Sequence, residues 1–199
     1  MTSLEDPYKA KNLDMETSVE DKVNGLIDFV TECKFGMMTT RDRVSGMLVS
    51  RCMAITGNEN GIDLIFCTNT ETGKAEELKG DPHVNLAFIR DKNWASVSGI
   101  AEVVQNTDEV KKHYSTGLKA WLGDVGDGIR DGSSKDPRLG IIKVRTLTAT
   151  YAIAHTASIG RAMEVAKGVV TGNAAGVNTL REIGSREVEL WRRSKDLVA

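Results

Sequence analysis

Strand-like segments follow one another too closely in this chain to be joined by ordinary crossover helices. Five of them lie between residues 35 and 104: FGMMTT (35–40), MLVSRCMAI (47–55), IDLIFCT (62–68), VNLAFIR (84–90) and WASVSGIAEVV (94–104). The turn-forming stretches RDRVSG and TGNENG separate the first three, and connections of this length suit antiparallel hairpins. The sequence therefore predicts a mainly antiparallel sheet.

Helical patterns flank these strands. Apolar residues between Val19 and Val30 recur at helical spacing and predict an amphipathic helix over residues 18–33. The other predicted elements are a short helix in TGKAEELKGDP, a helix over about 107–122, strands near 139–145 and 147–154, and helices near 158–168 and 184–196. We expect an α+β protein, a mainly antiparallel split β-barrel of six or seven strands with flanking helices.

The length of 199 residues suits a single domain with a continuous core. We divide the chain into an N-terminal extension (1–17), a split-barrel domain (18–170) and a C-terminal helical tail (171–199).

Composition excludes several classes of partner. With 26 Lys+Arg against 28 Asp+Glu, the formal net charge is -2, so no general cationic field attracts nucleic acid. Cys33, Cys52 and Cys67 are spaced like neither a disulfide framework nor a zinc site, and are expected to be reduced thiols. The polar start MTSLEDPYKAKN resembles no signal peptide, and no apolar run reaches bilayer length. We expect a cytoplasmic protein that binds no membrane.

Arg51 is the first candidate site residue. In strand 47–55 it alternates onto the same face as Val49, Met53 and Ile55, where a guanidinium needs an anion. A salt bridge to a neighbouring strand, a snorkelling arginine and a ligand-binding role all remain open for this residue taken alone.

The second candidate is the start of the helix in FCTNTETGKAEEL (66–78). Lys74 lies in its first turn, where a cation opposes the helix dipole. An anion bound at this N-terminus would remove the conflict, because free N–H groups, the Thr72 hydroxyl and the Lys74 ammonium could converge on it. The alternative is an exposed lysine paired with Glu71 or Glu77. Together with Arg51, the turn favours a phosphate ester.

Other chemistry lacks sequence support. The three histidines form no HExxH pattern, no Gly-x-Ser-x-Gly elbow occurs, and neither GxGxxG nor a GxxxxGK[ST] loop is present. The aspartates of GDVGDGIRDGSSKDP do not have calcium-loop spacing. No metal site is expected.

These residues resemble those of the pyridoxamine 5'-phosphate oxidase-like FMN-binding split barrels, and within them the general stress protein and fungal blue-light-inducible branch. The resemblance covers nearly the whole chain, and FCTNTETGKAEEL followed by DP is its most specific part. It implies that the domain 18–170 binds FMN and forms a homodimer with the flavin at the subunit interface.

The resemblance also implies a set of cofactor-binding residues. Arg51, Cys52 and Met53 would line the flavin from one strand, Cys67 and Thr68 from another, and Thr72, Gly73 and Lys74 would bind the phosphate. The oxidases usually have Arg-Lys where this chain has Gly73-Lys74. Trp94 falls near a flavin-facing position, and Trp121 is the candidate for a contribution from the partner chain.

A flavin-dependent oxidoreductase of unknown substrate, using NAD(P)H or a similar small-molecule electron donor, is the first functional hypothesis. The alternatives are a non-catalytic FMN-binding module that stores flavin or senses redox state, and a family member recruited to a specialised metabolite. The sequence assigns no catalytic residue.

Overall fold

The computed structural model describes residues 6–154 and 158–197, in which seven strands form a single sheet. The strands are β1 (Phe35–Arg41), β2 (Leu48–Glu59), β3 (Asp63–Asn69), β4 (His83–Arg90), β5 (Asn93–Val104), β6 (Leu139–Ala154) and β7 (Asn178–Ile183). The helices are α1 (Pro7–Asn12), α2 (Val19–Cys33), α3 (Gly73–Gly80), α4 (Thr107–His113), α5 (Leu118–Leu122), α6 (Ser158–Thr171) and α7 (Ser185–Asp196). No helix within the described ranges is long and apolar enough to cross a bilayer.

The sheet closes into a barrel because β3 and β6, at opposite ends of the order β3-β2-β1-β4-β5-β6, also pair with each other. Every neighbouring pair of strands in this order is antiparallel. The free edge of β6 is divided between two partners, since residues 139–144 pair with β3 and residues 149–154 pair with β7. The predicted α+β split barrel is confirmed.

Side chains alternate between the two faces of each strand, and those on the inner face are mostly apolar and fill the barrel. Phe66, Phe88 and Tyr151 are fully buried, together with aliphatic residues of β1, β3, β4 and β5. Helix α2 begins after the N-cap Ser18 and packs its apolar stripe onto this core. The buried Tyr151 hydroxyl donates to the Lys22 carbonyl oxygen at 2.8 Å, which ties β6 to α2.

A polar network stabilises β6 next to the end of its pairing with β3. The Asp63 carboxylate accepts hydrogen bonds from the Thr146 backbone N–H and from the guanidinium of Arg192, which also donates to the Thr146 carbonyl oxygen at 2.7 Å. Val188 and Trp191 of α7 are buried in the main core. Helix α7 is therefore an integral part of the barrel.

Three elements differ from their predicted form. The strands predicted near 139–145 and 147–154 are one continuous strand, β6. Its pairing with β5 continues across the junction of the two predicted segments because the register shifts at Ser98/Gly99. The helix predicted over 107–122 is two helices, since Tyr114 has extended backbone and its hydroxyl donates to the Gly132 carbonyl oxygen.

Strand β7 is the third difference, since it has no counterpart among the predicted elements and lies within the segment 171–199 beside α7. Its polar Arg181 sits next to the core because Asp14 accepts a hydrogen bond from its guanidinium at 2.9 Å. Asn12 of α1 accepts hydrogen bonds from the backbone N–H groups of Val177 and Asn178. Contacts distant in sequence thus hold this strand.

Candidate functional site

Arg51 lies on the inner face of β2 and pairs with a carboxylate from α3. Its guanidinium donates to Glu77 Oε1 at 2.6 Å and to Oε2 at 2.8 Å, and also to the Thr40 hydroxyl at 2.8 Å. The Thr40 hydroxyl in turn donates to Glu77 Oε2 at 2.6 Å. Burial by itself raises the pKa of Glu77, but these hydrogen bonds hold it below its ordinary value.

Lys74 lies beside this pair without a carboxylate of its own. Its Nζ is 3.5 Å from the Met53 sulfur, and among the residues that the structure describes no carboxylate lies within ion-pair distance of it. Its pKa is lowered because burial disfavours the ammonium and the nearby Arg51 repels it. Two cations therefore face one carboxylate that is already hydrogen-bonded, and an added anion would stabilise them.

The N-terminus of α3 adds free donors to this cluster. Thr72 is the N-cap residue, but its hydroxyl donates backwards to the Asn69 carbonyl oxygen at 2.8 Å and does not cap the helix. Gly73 and Lys74 are the first two helical residues, whose N–H groups have no partner inside a helix. Arg51, Lys74 and this uncapped end, here called the Arg51–Lys74 cluster, form an anion-binding arrangement.

The structure brings only some of the predicted flavin residues to this cluster. Met53 lies on the inner face of β2 with Arg51 and contacts Lys74. Thr68 lies on the inner face of β3, where its hydroxyl donates to the Asn69 carbonyl oxygen. Cys67 points the other way, beneath α4, with its sulfur 3.4 Å from the His113 carbonyl oxygen. Burial raises the pKa of this thiol.

Cys52 and Trp94 lie on the opposite side of the sheet from Arg51. Cys52 is exposed between Ser50 and Ala54, and Trp94 is half-buried at the start of β5. By strand register, one outward surface is formed by Ser50, Cys52, Ala54, Phe35, Met37, Ala87, Ile89, Trp94 and Ser96. Several of its apolar side chains are exposed, including Ile89 at 79% and Phe35 at 56%. We call this surface the outer sheet face.

Trp121 is 89% exposed on α5, just before the loop of residues 123–138 that leads to β6. Buried Arg138 organises this loop by donating to the carbonyl oxygens of Leu122 and Gly123 and, at 2.7 Å, to the carboxylate of the equally buried Asp136. The Arg138 carbonyl oxygen accepts from the Thr70 N–H at 2.8 Å. The loop 123–138 and the turn before α3 are therefore both anchored to Arg138.

The ion pair between Asp136 and Arg138 should make the fold less stable at acid pH. Hydrogen bonds from Arg138 lower the pKa of Asp136 to about 2, against burial, which raises it. A carboxyl with a lowered pKa stabilises the fold above its unfolded-state value, and the stabilisation is lost as pH falls towards the folded-state value. We expect the free energy of unfolding to decline between about pH 4 and about pH 2.

Urea unfolding at a series of pH values measures this decline. Asp136→Asn, which does not ionise, should show a shallower decline over the same pH range than the wild type. Equal pH dependence in the two proteins would contradict the assignment to Asp136.

Glu77 and Thr40 are site residues that sequence reasoning missed. The sequence suggests Glu77 only as a surface partner for Lys74, whereas it is buried and binds Arg51. Glu77 follows Lys74 by three residues, so both side chains lie on one side of α3. This spacing could have predicted that Glu77 belongs to the site. In the described ranges, no group of three or more His, Cys, Asp or Glu side chains could hold a metal ion.

Comparison with known proteins decides the family. The model of the family described as "Pyridoxamine 5'-phosphate oxidase like" matches residues 21–176. The chain belongs to this family. Protein bli-3 of Neurospora crassa, a curated relative, is 52% identical over 192 residues, which cover 95% of this chain and 92% of bli-3.

Solved structures of general stress proteins have a similar fold. A Jannaschia protein assigned to general stress protein 26 superposes with a TM-score of 0.60 at 17% identity, covering 83% of this chain and 99% of its own. The general stress FMN/FAD binding protein of Xanthomonas citri gives 0.53 at 17% identity, covering 66% and 88% respectively. At these identities the likeness extends to the barrel architecture alone.

Proposed function

We propose that this member of the pyridoxamine 5'-phosphate oxidase-like family binds FMN, with the flavin phosphate on the Arg51–Lys74 cluster. The observation that carries the proposal is the half-buried ammonium of Lys74, which lacks a carboxylate partner in the described structure and lies beside a second cation. A phosphate dianion would stabilise both cations and accept from the free N–H groups of α3. The Xanthomonas citri protein, described as binding FMN or FAD, supports a flavin as the phosphate ester.

Within this site the chain supplies position and charge. Glu77 and Thr40 hold the Arg51 guanidinium in one orientation, which leaves its remaining N–H groups for the ligand. Lys74 contributes a point charge, and the exposed Gly73 lets a ligand approach the start of α3 without meeting a side chain. When bound, FMN would supply the electron-transfer chemistry.

The proposed site is completed by a second copy of the chain. The outer sheet face exposes several apolar side chains, and such a patch is typical of a protein interface. Trp121 is exposed on α5, next to the loop that Arg138 anchors, and is therefore available to a neighbouring subunit. We propose a homodimer with FMN at the interface and Trp121 of one chain beside the flavin of the other.

We further propose that the bound flavin acts in an oxidoreductase that accepts electrons from NADH or NADPH and passes them to a small-molecule substrate in the cytoplasm. The three cysteines are all free thiols, which suits that reducing compartment. Anaerobic mixing of the FMN-loaded protein with each nicotinamide should bleach the flavin absorbance. A flavin inert to both would contradict the enzyme and favour a non-catalytic FMN-binding module.

The phosphate site is tested by comparing FMN with riboflavin, which lacks the phosphate. Lys74→Ala should weaken FMN binding about 10- to 100-fold, as expected for the loss of a hydrogen bond to a charged group. Fluorescence quenching or calorimetry measures both ligands, and riboflavin affinity should change little.

Lys79→Ala is the matched control, since Lys79 lies on the same helix but is exposed and paired with Glu76. It should leave both affinities unchanged. Wild-type protein that binds FMN no more tightly than riboflavin would overturn the proposed phosphate site.

A further inference from the structure

Helix α6 has its apolar side turned to solvent. Met163 is 68% exposed, Val169 81% and Val170 85%, whereas the polar residues Arg161 and Glu164 are half-buried. A surface helix normally buries its apolar stripe and exposes its polar face. The arrangement in α6 is the reverse.

The exposed apolar residues form one continuous stripe. At about 100° per residue, the apolar side chains fall within less than half of the helix circumference. They are Ala162, Met163, Val165, Ala166, Val169 and Val170. We call this set the α6 stripe.

The other side of α6 contacts the barrel through a hydrogen bond to β7. The Arg161 guanidinium donates to Asn178 Oδ1 of β7 at 3.2 Å. Between α6 and α1 lies a cavity of about 490 Å³, lined in part by Lys11, Glu164 and Lys167. This half-buried polar side faces the barrel, and the α6 stripe has no partner in the described part of the chain.

The position of α6 places it beside the outer sheet face. Asn178 is the register partner of Ala154 on β6, and Ala152, two residues earlier on the same face, is the register partner of Trp94. Because directly paired residues share a face, α6 lies on the side of the sheet that carries Trp94. The α6 stripe therefore borders the outer sheet face.

We infer that the α6 stripe packs against a second copy of this chain and enlarges the dimer interface. This inference rests on the proposed homodimer. The nine residues of the outer sheet face and Trp121 are fewer than the roughly 20 to 30 residues that each partner of a stable interface contributes. The α6 stripe adds contiguous apolar surface. Anionic lipid is a poorer occupant, because the net charge of -2 gives no attraction to it.

Charged substitutions in the stripe test the inference. Val169→Lys and Val170→Lys should each raise the dimer dissociation constant at least about tenfold, because each would bury an unpaired ammonium in an apolar contact. Thr171→Lys is the matched control, since it adds the same charge at an exposed position of the same helix but outside the stripe. It should leave the constant within about twofold. Analytical ultracentrifugation measures the constant, and circular dichroism checks that each variant is folded.

The outcomes separate this inference from the function on which it rests. A wild-type dimer with bound FMN whose dissociation constant is unchanged in both valine variants would overturn the role of α6 and leave the FMN site standing. A wild-type protein that binds FMN but stays monomeric at all concentrations would overturn both the dimer and the inference. Binding of the wild type to anionic vesicles that Val169→Asp abolishes, with the dimer unchanged, would assign the stripe to a membrane surface instead.

Discussion

Replacing Asp136 by Ala is expected to lower the free energy of unfolding by about 3–5 kcal/mol, the usual cost of removing one partner of a buried ion pair. The Asp136 side chain is fully buried and that of Arg138 is 7% exposed. Without the carboxylate, the Arg138 guanidinium keeps only carbonyl oxygens as partners and remains a buried, uncompensated charge. The loss should therefore exceed that of an ordinary hydrogen bond.

Asp127→Ala is the control for this prediction, because Asp127 lies in the same loop and pairs with Arg130 in a more exposed ion pair. Asp127 also accepts backbone hydrogen bonds from Ile129 and Arg130, so the Asp127→Ala substitution should have a measurable cost in stability, but one well below that of Asp136→Ala. Urea unfolding followed by far-ultraviolet circular dichroism measures both variants. If Asp136→Ala were no less stable than Asp127→Ala, the buried pair would not be what holds the loop.

The sequence predicted the elements whose patterns are local. Strands β1 to β5 and helices α2 and α3 were found within a few residues, because alternation, helical spacing and turn residues each act over short distances. Strand β7 was missed because it depends on pairing with β6 and on hydrogen bonds to Asn12 and Asp14, which are more than 160 residues away. Helix α6 was predicted from the same apolar spacing that a buried helix would show, and the pattern could not reveal which side faces solvent.

For the site, sequence reasoning placed Arg51 on the correct face of β2 but left its partner open. In the structure the partner of Arg51 is Glu77. Glu77 is buried because α3 packs against β1 and β5, and no local sequence pattern predicts that packing. The family resemblance predicted which residues lie in the site but not which face of the sheet each side chain occupies. Cys67 and Thr68 are adjacent in sequence and point to opposite faces of β3, as do Cys52 and Met53 on β2.

The contact between Arg51 and Glu77 leads to the largest expected effect on the ligand. Arg51→Ala should weaken FMN binding about 100-fold or more, since it removes a charge-assisted donor and leaves the Glu77 carboxylate unpaired beside the phosphate. Riboflavin, which brings no phosphate, should lose much less. Calorimetric titration with both ligands measures the difference.

Combining Arg51→Ala with Glu77→Gln separates the two causes. The Glu77→Gln substitution keeps the size of the side chain but removes its charge, so the double variant should regain about tenfold in FMN affinity over Arg51→Ala alone. Glu77→Gln by itself should bind FMN at least as tightly as the wild type, because one negative charge near the phosphate is gone. It should also be less stable without FMN, since Arg51 and Lys74 then repel each other with no carboxylate between them. Equal FMN affinity of the single and double Arg51 variants would mean that Glu77 and the phosphate do not share the guanidinium.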